Sequence, residues 1–421
     1  MCCAAAAAHD GALVARRSAR RMRGIGRAGR TALRSAAAVV VLALAGCAPL
    51  RYVDALRVLG DLAAGEGPSR LKERTPPPSR TAVRYAVSGR EHAGDLYLPG
   101  DAPPLAGIVL VPGAVPKGKD DPRLVALART LARARFAVLT PEVRGFRELR
   151  ILPGDAREVA DAFAWLVARP DWAPEGRAGL FAVSYAVGPA VLAALEPDVR
   201  ERVAFVVGLG GYHDLRRTIR YFTTGAYQTR DGAWHHLAPD DYGKLVLVNA
   251  ARPYLAGADA AILDRMVARR LEDRGAELSG LAVQLGPQGR AVYELAENTR
   301  PLRFGELYAG LPAAMRSDVE ALSLHDKDLS RLHARLILVH GRNDDLIPWP
   351  ESEALADAAG RERTRLFLLH AILTHVDMRL PRWFDWHFLG QALPDVVRLW
   401  RAVDALLAER ERHEEPARAA G

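Results

Sequence analysis

Gly179-Leu180-Phe181-Ala182-Val183 is a short apolar run of the kind that forms a buried strand, Ser184 follows at once, and Tyr185 to Leu195 has the pattern of a helix. A serine at such a junction sits on a tight turn, with its hydroxyl presented at the carboxyl edge of a sheet. The turn demands small flanking residues, because it brings them against the backbone of neighbouring strand and helix. Ala182 and Ala186 meet that demand, although glycine is the usual choice. The helix after Ser184 directs its positive end toward the hydroxyl, which favours an oxyanion forming there. The chemistry this allows is attack by Ser184 on an acyl carbonyl and passage through an acyl-enzyme.

Other polar groups carry less. His235 and His236 are adjacent, which does not put two ligands on one helical face, and no cysteine or carboxylate cluster completes a metal site around them. They are expected to be exposed, and no metal or cofactor is expected. Arg216, Arg217 and Arg220 have the spacing of one helix face. They could hold an anionic substrate, but the reading adopted is a solvated face.

The elements that must position Ser184 follow from hydropathy. From Thr81 onward, short runs rich in valine and leucine alternate with longer helical patterns, which points to a mainly parallel sheet covered by helices. Strands are predicted over 82–87, 91–98, 107–111, 137–140, 179–183, 204–209, 335–339 and 365–369. Helices are predicted near 122–134, 155–168, 185–195, 351–359 and 396–411. Between about Tyr212 and Asp328 the alternation stops, and the chain becomes helix-like and aromatic, with Tyr221, Phe222, Tyr227, Trp234, Tyr242 and Tyr254. So long a stretch without structure of its own is uncommon, which favours a folded helical cap over 212–328 that splits the sheet domain into 81–211 and 329–412. An independent second domain is the alternative. Residues 413–421 read as a polar tail.

Over about residues 80–410 the chain resembles the α/β-hydrolase superfamily. The family's G-x-S-x-G elbow stands here as Ala182-Val183-Ser184-Tyr185-Ala186. His340-Gly341-Arg342-Asn343-Asp344, followed by Ile347-Pro348, is similar to its acid loop, which implies Asp344 as the triad acid, with Asp345 as the alternative. Leu373-Thr374-His375-Val376-Asp377 is similar to the segment carrying the general base, which implies His375. Imidazole suits that role because its ordinary pKa near ~6.5 lets it take and return a proton. His370 competes, but at a strand end it is expected to be structural. Val109-Leu110-Val111-Pro112-Gly113-Ala114 is similar to the strand and loop that supply half of an oxyanion hole. The implied donors are the backbone N–H groups of Ala114 and Tyr185, each worth ~3 kcal/mol in the barrier. Thr140-Pro141-Glu142-Val143-Arg144-Gly145 resembles a P-D-x-R-G segment with Glu142 in place of aspartate, and is read as structural. The order serine, acid, histidine is that of the family. The resemblance implies an α/β-hydrolase fold, a mostly parallel eight-stranded sheet flanked by helices with an inserted cap, and a carboxylic-ester hydrolase with a Ser184–His375–Asp344 triad.

Composition bounds the partners. The 421 residues carry a net charge of +8, yet residues 1–46 hold eight arginines against Asp10 alone, leaving about +1 on the remainder. No basic face is left for phosphates, so no nucleic-acid partner is expected. The arginines precede an apolar run from Ala36 to Ala45, which is about half of the ~20 residues a membrane-spanning helix needs. This is the pattern of a signal peptide over 1–46, with Met22 as the more ordinary start. Leu44-Ala45-Gly46-Cys47 resembles the lipobox of bacterial lipoproteins, which implies lipidation at Cys47 and a membrane partner through that lipid. With Cys2 and Cys3 removed, the mature chain has no disulfide, as suits an exported protein. Residues 47–80, with Gly65-Glu66-Gly67-Pro68 and Pro76-Pro77-Pro78, read as a lipidated tether. The expected location is the bacterial cell envelope, on the outer membrane where there is one, and the expected substrate a small ester or acyl compound. An acyltransferase on the same fold and a non-catalytic binding lipoprotein are the rival functions.

Overall fold

The computed structural model describes residues 49–255, 257–273, 275–376 and 386–412. The expected signal peptide, Cys47, Asp377 and the polar tail lie outside the described residues. The chain divides into two compact units, one ending at Val53 and one running from Asp54. Of the first, only 49–53 are described, as the opening of helix α1 (Pro49–Ala64).

The strands are β1 (Ser79–Val87), β2 (Arg90–Leu98), β3 (Ala106–Val111), β4 (Phe136–Pro141), β5 (Ala178–Val183), β6 (Val203–Leu209), a hairpin β7 (Ala226–Gln228) and β8 (Trp234–His236), then β9 (Arg335–Gly341) and β10 (Thr364–Leu369). Eight of them form one sheet in the order β1-β2-β4-β3-β5-β6-β9-β10. In it β2 is antiparallel to β1 and β4, and every other pairing is parallel. These are the eight strands expected from sequence, with ends displaced by a few residues. An eight-stranded, mostly parallel sheet of this order with helices on both faces is the α/β-hydrolase fold.

Strand side chains alternate between faces, so each buried strand feeds two cores. Ile108, Leu110, Phe181, Phe205, Val207 and Ile337 pack with α3 (Pro122–Arg133) and α15 (Trp386–Glu411), through Leu124, Ala128, Leu131, Val403 and Leu407. Val109, Val111, Leu180, Ala182, Val206 and Leu338 pack on the other side with α5 (Asp155–Val167), α6 (Val187–Ala193) and α14 (Pro350–Ala359). The start of α3 is set locally: Pro122 occupies the first turn, where its missing N–H costs nothing, and the Asp121 carboxylate accepts from Arg123 N–H.

From Asp54 onward, the segment expected to be a tether is packed structure. Ala55 and Val58 of α1 and Leu71 of α2 (Arg70–Arg74) join the core beneath α3. Asp61, 2% exposed, accepts from Thr130 Oγ1 of α3 at 2.7 Å and from Ser69 Oγ, and pairs with Lys72 at 3.0 Å. The three prolines end only α2, and Ser79 already belongs to β1. The correction has a plain cause: a helix with apolar residues at 55, 58 and 62 gains most by laying that stripe on an apolar partner.

After β6 the chain leaves the sheet, and it returns at β9. The excursion holds α7 (Leu215–Thr224), the β7–β8 hairpin, α8 (Tyr242–Ala251), α9 (Gly257–Glu272), α10 (Ser279–Ala282), α11 (Pro287–Ala296), α12 (Phe304–Ala309) and α13 (Ala313–Leu322). Its two ends are tied together by Leu324 N–H to His213 O (2.8 Å) and Leu215 N–H to Ser323 Oγ (3.0 Å). The buried Glu351 carboxylate of α14 accepts from His213 N–H (3.0 Å) and Asp214 N–H (2.7 Å) and pairs with Arg217 Nε (3.0 Å). Leu247, Ile262, Met266, Val292 and Phe304 belong to the same hydrophobic cluster as α5 and α6, so this insertion shares the core of the sheet. The arginine face expected to be solvated is partly so: Arg216 is exposed and lies over the Tyr308 ring (4.9 Å), while Arg217, with its side chain 42% exposed, holds Glu351 and the half-buried Arg220 lies over Trp234 (4.5 Å). His235 and His236 are exposed on β8.

Removing the Asp61 carboxylate strips partners from Thr130 and Lys72 in a buried setting. Asp61→Ala should lower the unfolding free energy by about 3 kcal/mol. Urea melts of wild type and variant measure this, and equal midpoints would mean that α1 is not part of the folded domain.

Candidate active site

The backbone at the end of β5 prepares the site. Val183 has an extended φ of −117°, and Ser184 turns abruptly to φ +60°, in the left-handed region that costs an ordinary residue about 1–2 kcal/mol. The chain cannot enter a helix directly from there. It makes a 3₁₀ turn over Ser184–Ala186 and only then α6, so the helix expected from Tyr185 starts at Val187. Strain at Ser184 is tolerated because β5 is locked between β3 and β6 and because Ala182 and Ala186 are wholly buried.

β3 is the neighbour of β5, with Val111 opposite Ala182, so the loop after β3 emerges beside Ser184. Gly113 runs so close that a Cβ there would stand 3.3 Å from Val183 O and 3.5 Å from Ser184 Cβ. Ala114 and Tyr185, whose N–H groups sequence implies as donors, therefore lie at the same sheet edge as Ser184. Ala114 is buried, and its carbonyl accepts from Tyr242 Oη of α8 at 2.8 Å.

Two further loops converge from β9 and β10. Gly341, at the end of β9, lies under the Leu373–Thr374 backbone, where a Cβ would meet Thr374 O at 2.2 Å. Glycine there lets the segment after β10 cross directly over the acid loop. That segment is held from below by the buried Asp395 of α15, which accepts from His370 N–H and Ala371 N–H, both at 2.7 Å. Ile372 and Leu373 bury their side chains against Val339 and Leu369. The result points His375 between Ser184 and Asp344.

His375 Nδ1 is 2.7 Å from Asp344 Oδ2, and His375 Nε2 is 2.6 Å from Ser184 Oγ. Asp344 is 1% exposed and takes two more donors on Oδ1, Leu346 N–H at 2.9 Å and Ile347 N–H at 2.8 Å. Burial pushes its carboxyl up, but the His375 and His340 imidazoles hydrogen-bonded to it outweigh that and hold it well below the ordinary carboxylate range. An ionised carboxylate only accepts, so Nδ1 carries the proton, and Nε2 is left to accept from the serine hydroxyl. Serine is thus hydrogen-bonded to a base already in the tautomer that can remove its proton.

His340 was not singled out from sequence as a functional group. It is fully buried on β9, and its Nε2 lies 2.9 Å from Ile347 O and 3.1 Å from Asp344 Oδ2. A carbonyl oxygen only accepts, so Nε2 carries a proton shared between these two acceptors, while Nδ1 accepts from Ser352 Oγ at 2.7 Å. The cap also reaches the acid loop: Tyr221 Oη donates to Asp344 O at 2.6 Å, and Asp240 N–H donates to Asp345 O at 2.9 Å. The only sequence signal for these contacts was the aromatic content of the cap and a histidine four residues before the acid. Asp345 and His370, the alternative acid and base, lie off the line. Asp345 makes no bond to His375, and the His370 imidazole is 44% exposed and faces Asp395 and Arg398. Glu142 pairs with Arg147 at 3.3 Å, away from the serine. Among the described residues, no group of three or more His, Cys, Asp or Glu side chains is placed to hold a metal ion, and no helix is long and apolar enough to cross a membrane.

No family model matches the sequence, and no curated protein matches it either. Solved structures do. The chain is similar to a hypothetical protein from Pseudomonas aeruginosa, at 18% identity over 80% of this chain and 95% of that one, with a TM-score of 0.41. It is similar to an esterase from Pyrobaculum calidifontis (14% identity, 86% and 92% covered, TM-score 0.43) and to an acylaminoacyl peptidase from Pyrococcus horikoshii (12%, 82% and 44%, TM-score 0.42). The chemistry of the site rests on this chain's own residues.

The depressed Asp344 carboxyl makes stability depend on pH with a definite sign. Its folded pKa lies below its unfolded one, so its contribution is complete above the ordinary value of ~3.9 and is lost as pH falls below it toward the folded pKa. The difference in unfolding free energy between wild type and Asp344→Asn should shrink as pH falls below about 4. Urea midpoints above and below that pH measure it, and a difference that does not shrink in acid would contradict the depressed carboxyl.

Proposed function

We propose that this protein is a serine hydrolase that cleaves carboxylic esters through an acyl-enzyme, with Ser184 as nucleophile, His375 as general base and acid, and Asp344 as the group that orients and stabilises the imidazolium. One observation carries the reading: an unbroken hydrogen-bonded line from Ser184 Oγ through His375 to the buried Asp344, with the serine raised on a left-handed elbow. A serine kept at φ +60° and in contact with a base has no structural purpose that a relaxed serine would not serve more cheaply.

In this mechanism Ser184 Oγ bonds to the acyl carbon while its proton passes to His375 Nε2. The carbonyl electrons move to oxygen, where the N–H groups of Ala114 and Tyr185 receive the charge. Collapse expels the alcohol, which leaves with the proton from His375. A water molecule then repeats the attack, and the acid departs with Ser184 restored. Asp344 stays ionised throughout. We further propose that Cys47 carries a lipid and holds the enzyme to a membrane of the bacterial envelope outside the cytoplasm, after removal of residues 1–46. This part rests on the sequence pattern around Cys47.

A fluorophosphonate probe should label wild type and should not label Ser184→Ala. Asp344→Asn should lose about 10³–10⁴-fold in kcat toward 4-nitrophenyl butyrate, because the wrong imidazole tautomer then faces the serine. Absence of labelling in folded wild type would sink the enzyme reading, and release of butyric acid separates hydrolysis from transfer to an added alcohol. Incorporation of labelled fatty acid into the bacterially expressed full chain, lost in Cys47→Ser, tests the anchor.

A further inference from the structure

Beside the oxyanion loop the domain carries a cleft of about 630 Å³ between the sheet unit and the cap, in the size range that holds a small molecule. Pro116, Arg147, Glu148 and Arg150 line it from the sheet side, and Asn249 and Arg252 from the cap. Pro116 is two residues beyond Ala114, at most about 7 Å of chain. On the other wall, Asn249 is seven residues after Tyr242, the residue that touches Ala114, so it lies two turns, about 10.5 Å, along the same face of α8. Asn249 Nδ2 also donates to Glu148 O across the cleft.

The residues that line the cleft are richer in cations than in anions, with further carboxylates behind them. Three guanidiniums face one lining carboxylate, Glu148. Each arginine is anchored from one side: Arg147 by Asp120 (3.1 Å) and Glu142 (3.3 Å), Arg150 by Glu148, and Arg252 by Asp264 and by Asn249 Oδ1 (3.0 Å). A guanidinium has five N–H donors, and these contacts leave some of them over. Arg150 Nε has no hydrogen-bond partner among the described residues, and Arg252 Nη2 is engaged by no described group. Planar donors held in place by such anchors are suited to a carboxylate or phosphate.

We infer that this cleft binds an anionic group carried by the substrate, several bonds from the scissile ester, so that the enzyme acts on esters bearing a carboxylate or phosphate. The inference rests on the hydrolase reading for its link to turnover. Arg150 and Arg252 are its specificity residues. The arginines that sequence suggested for an anion, Arg216, Arg217 and Arg220, lie against Tyr308, Glu351 and Trp234 instead.

The test uses the full-chain protein and matched esters. One pair places the charge on the acyl side, mono-4-nitrophenyl adipate against its neutral methyl ester. The other places it on the alcohol side, 3-carboxyphenyl or 3-phosphonophenyl acetate against 3-carbamoylphenyl acetate. In at least one pair the anionic ester should be preferred about tenfold in kcat/KM, mainly through KM, and the preference should shrink from about 50 mM to about 500 mM NaCl. Arg252→Gln and Arg150→Gln should each remove most of it and leave the neutral ester unchanged. Equal turnover of charged and neutral esters, or arginine variants that slow both alike, would overturn the cleft inference while leaving the hydrolase standing. Should the variants not fold, wild type decides: adipate should inhibit competitively and adipamide should not. No turnover and no fluorophosphonate labelling would instead sink the hydrolase reading. Calorimetric titration of adipate against adipamide then still reads the cleft, with binding of adipate alone supporting it and binding of neither overturning it.

Discussion

Taking a carboxylate out of water costs several kcal/mol unless donors replace the lost solvent. Asp344 has been taken out almost completely, and the loops around it can be understood as the answer to that cost. Two donors come from its own loop, Leu346 N–H and Ile347 N–H, which follow once the chain after β9 folds back on itself. The other two are imidazoles from different strands, His340 from β9 and His375 from beyond β10. Only one of the four faces Ser184. The other three leave the carboxylate ionised and fixed, so that the fourth donor has a single geometry and a single tautomer. Loss of any one would leave a buried charge short of a partner, which ties the conformation of the acid loop to the position of the base.

The cap bears on the same constraint. Its contacts with the sheet unit gather on the loops that carry the site: Tyr221 on the Asp344 carbonyl, Asp240 on the Asp345 carbonyl and Tyr242 on the Ala114 carbonyl. Glu351 fastens the root of the insertion from beneath, burial raising its pKa while Arg217 and two backbone N–H groups act to keep it charged. A phenol that donates to a loop carbonyl satisfies an acceptor that would otherwise be buried without a partner. The insertion is thus a clamp over the loops that follow β3 and β9.

The sheet was legible because its strands are short, apolar and bounded by turn residues, and the elbow because a strand, a serine and a helix pattern stood in direct succession. That Asp344 and His375 would meet was legible only through likeness of their loops to a known pattern, since nothing local in either says that 31 residues of chain fold back to join them. Two readings failed for one reason. Residues 47–80 read as a tether, and Arg216, Arg217 and Arg220 as a solvated face, because polarity along the chain reports only what a segment could offer to water. Asp61 met Thr130 from 69 residues away, and Arg217 met Glu351 from 134. Partners at such distances tie a polar residue into the fold, and no window on the sequence contains both. His340 was missed for the complementary reason: at the end of an apolar strand it reads as core, and its role depends on Nε2 reaching two acceptors at once.

The degenerate elbow can be argued in the same terms. Glycine at the flanks of such a turn relieves contact with its neighbours, yet here both flanks are alanine and the serine still holds φ +60°. The relief comes from the surroundings. Gly113 brings the neighbouring loop in without a side chain, and Gly188, the second residue of α6, leaves room for the Tyr212 ring, whose hydroxyl would stand 2.1 Å from a Cβ at that position. With glycine at 113 and 188 the turn and the start of α6 pack closely against their neighbours, and the alanines at 182 and 186 are wholly buried between them. The small-residue requirement of the elbow is therefore a requirement on the volume around it, and it can be met from three elements instead of one.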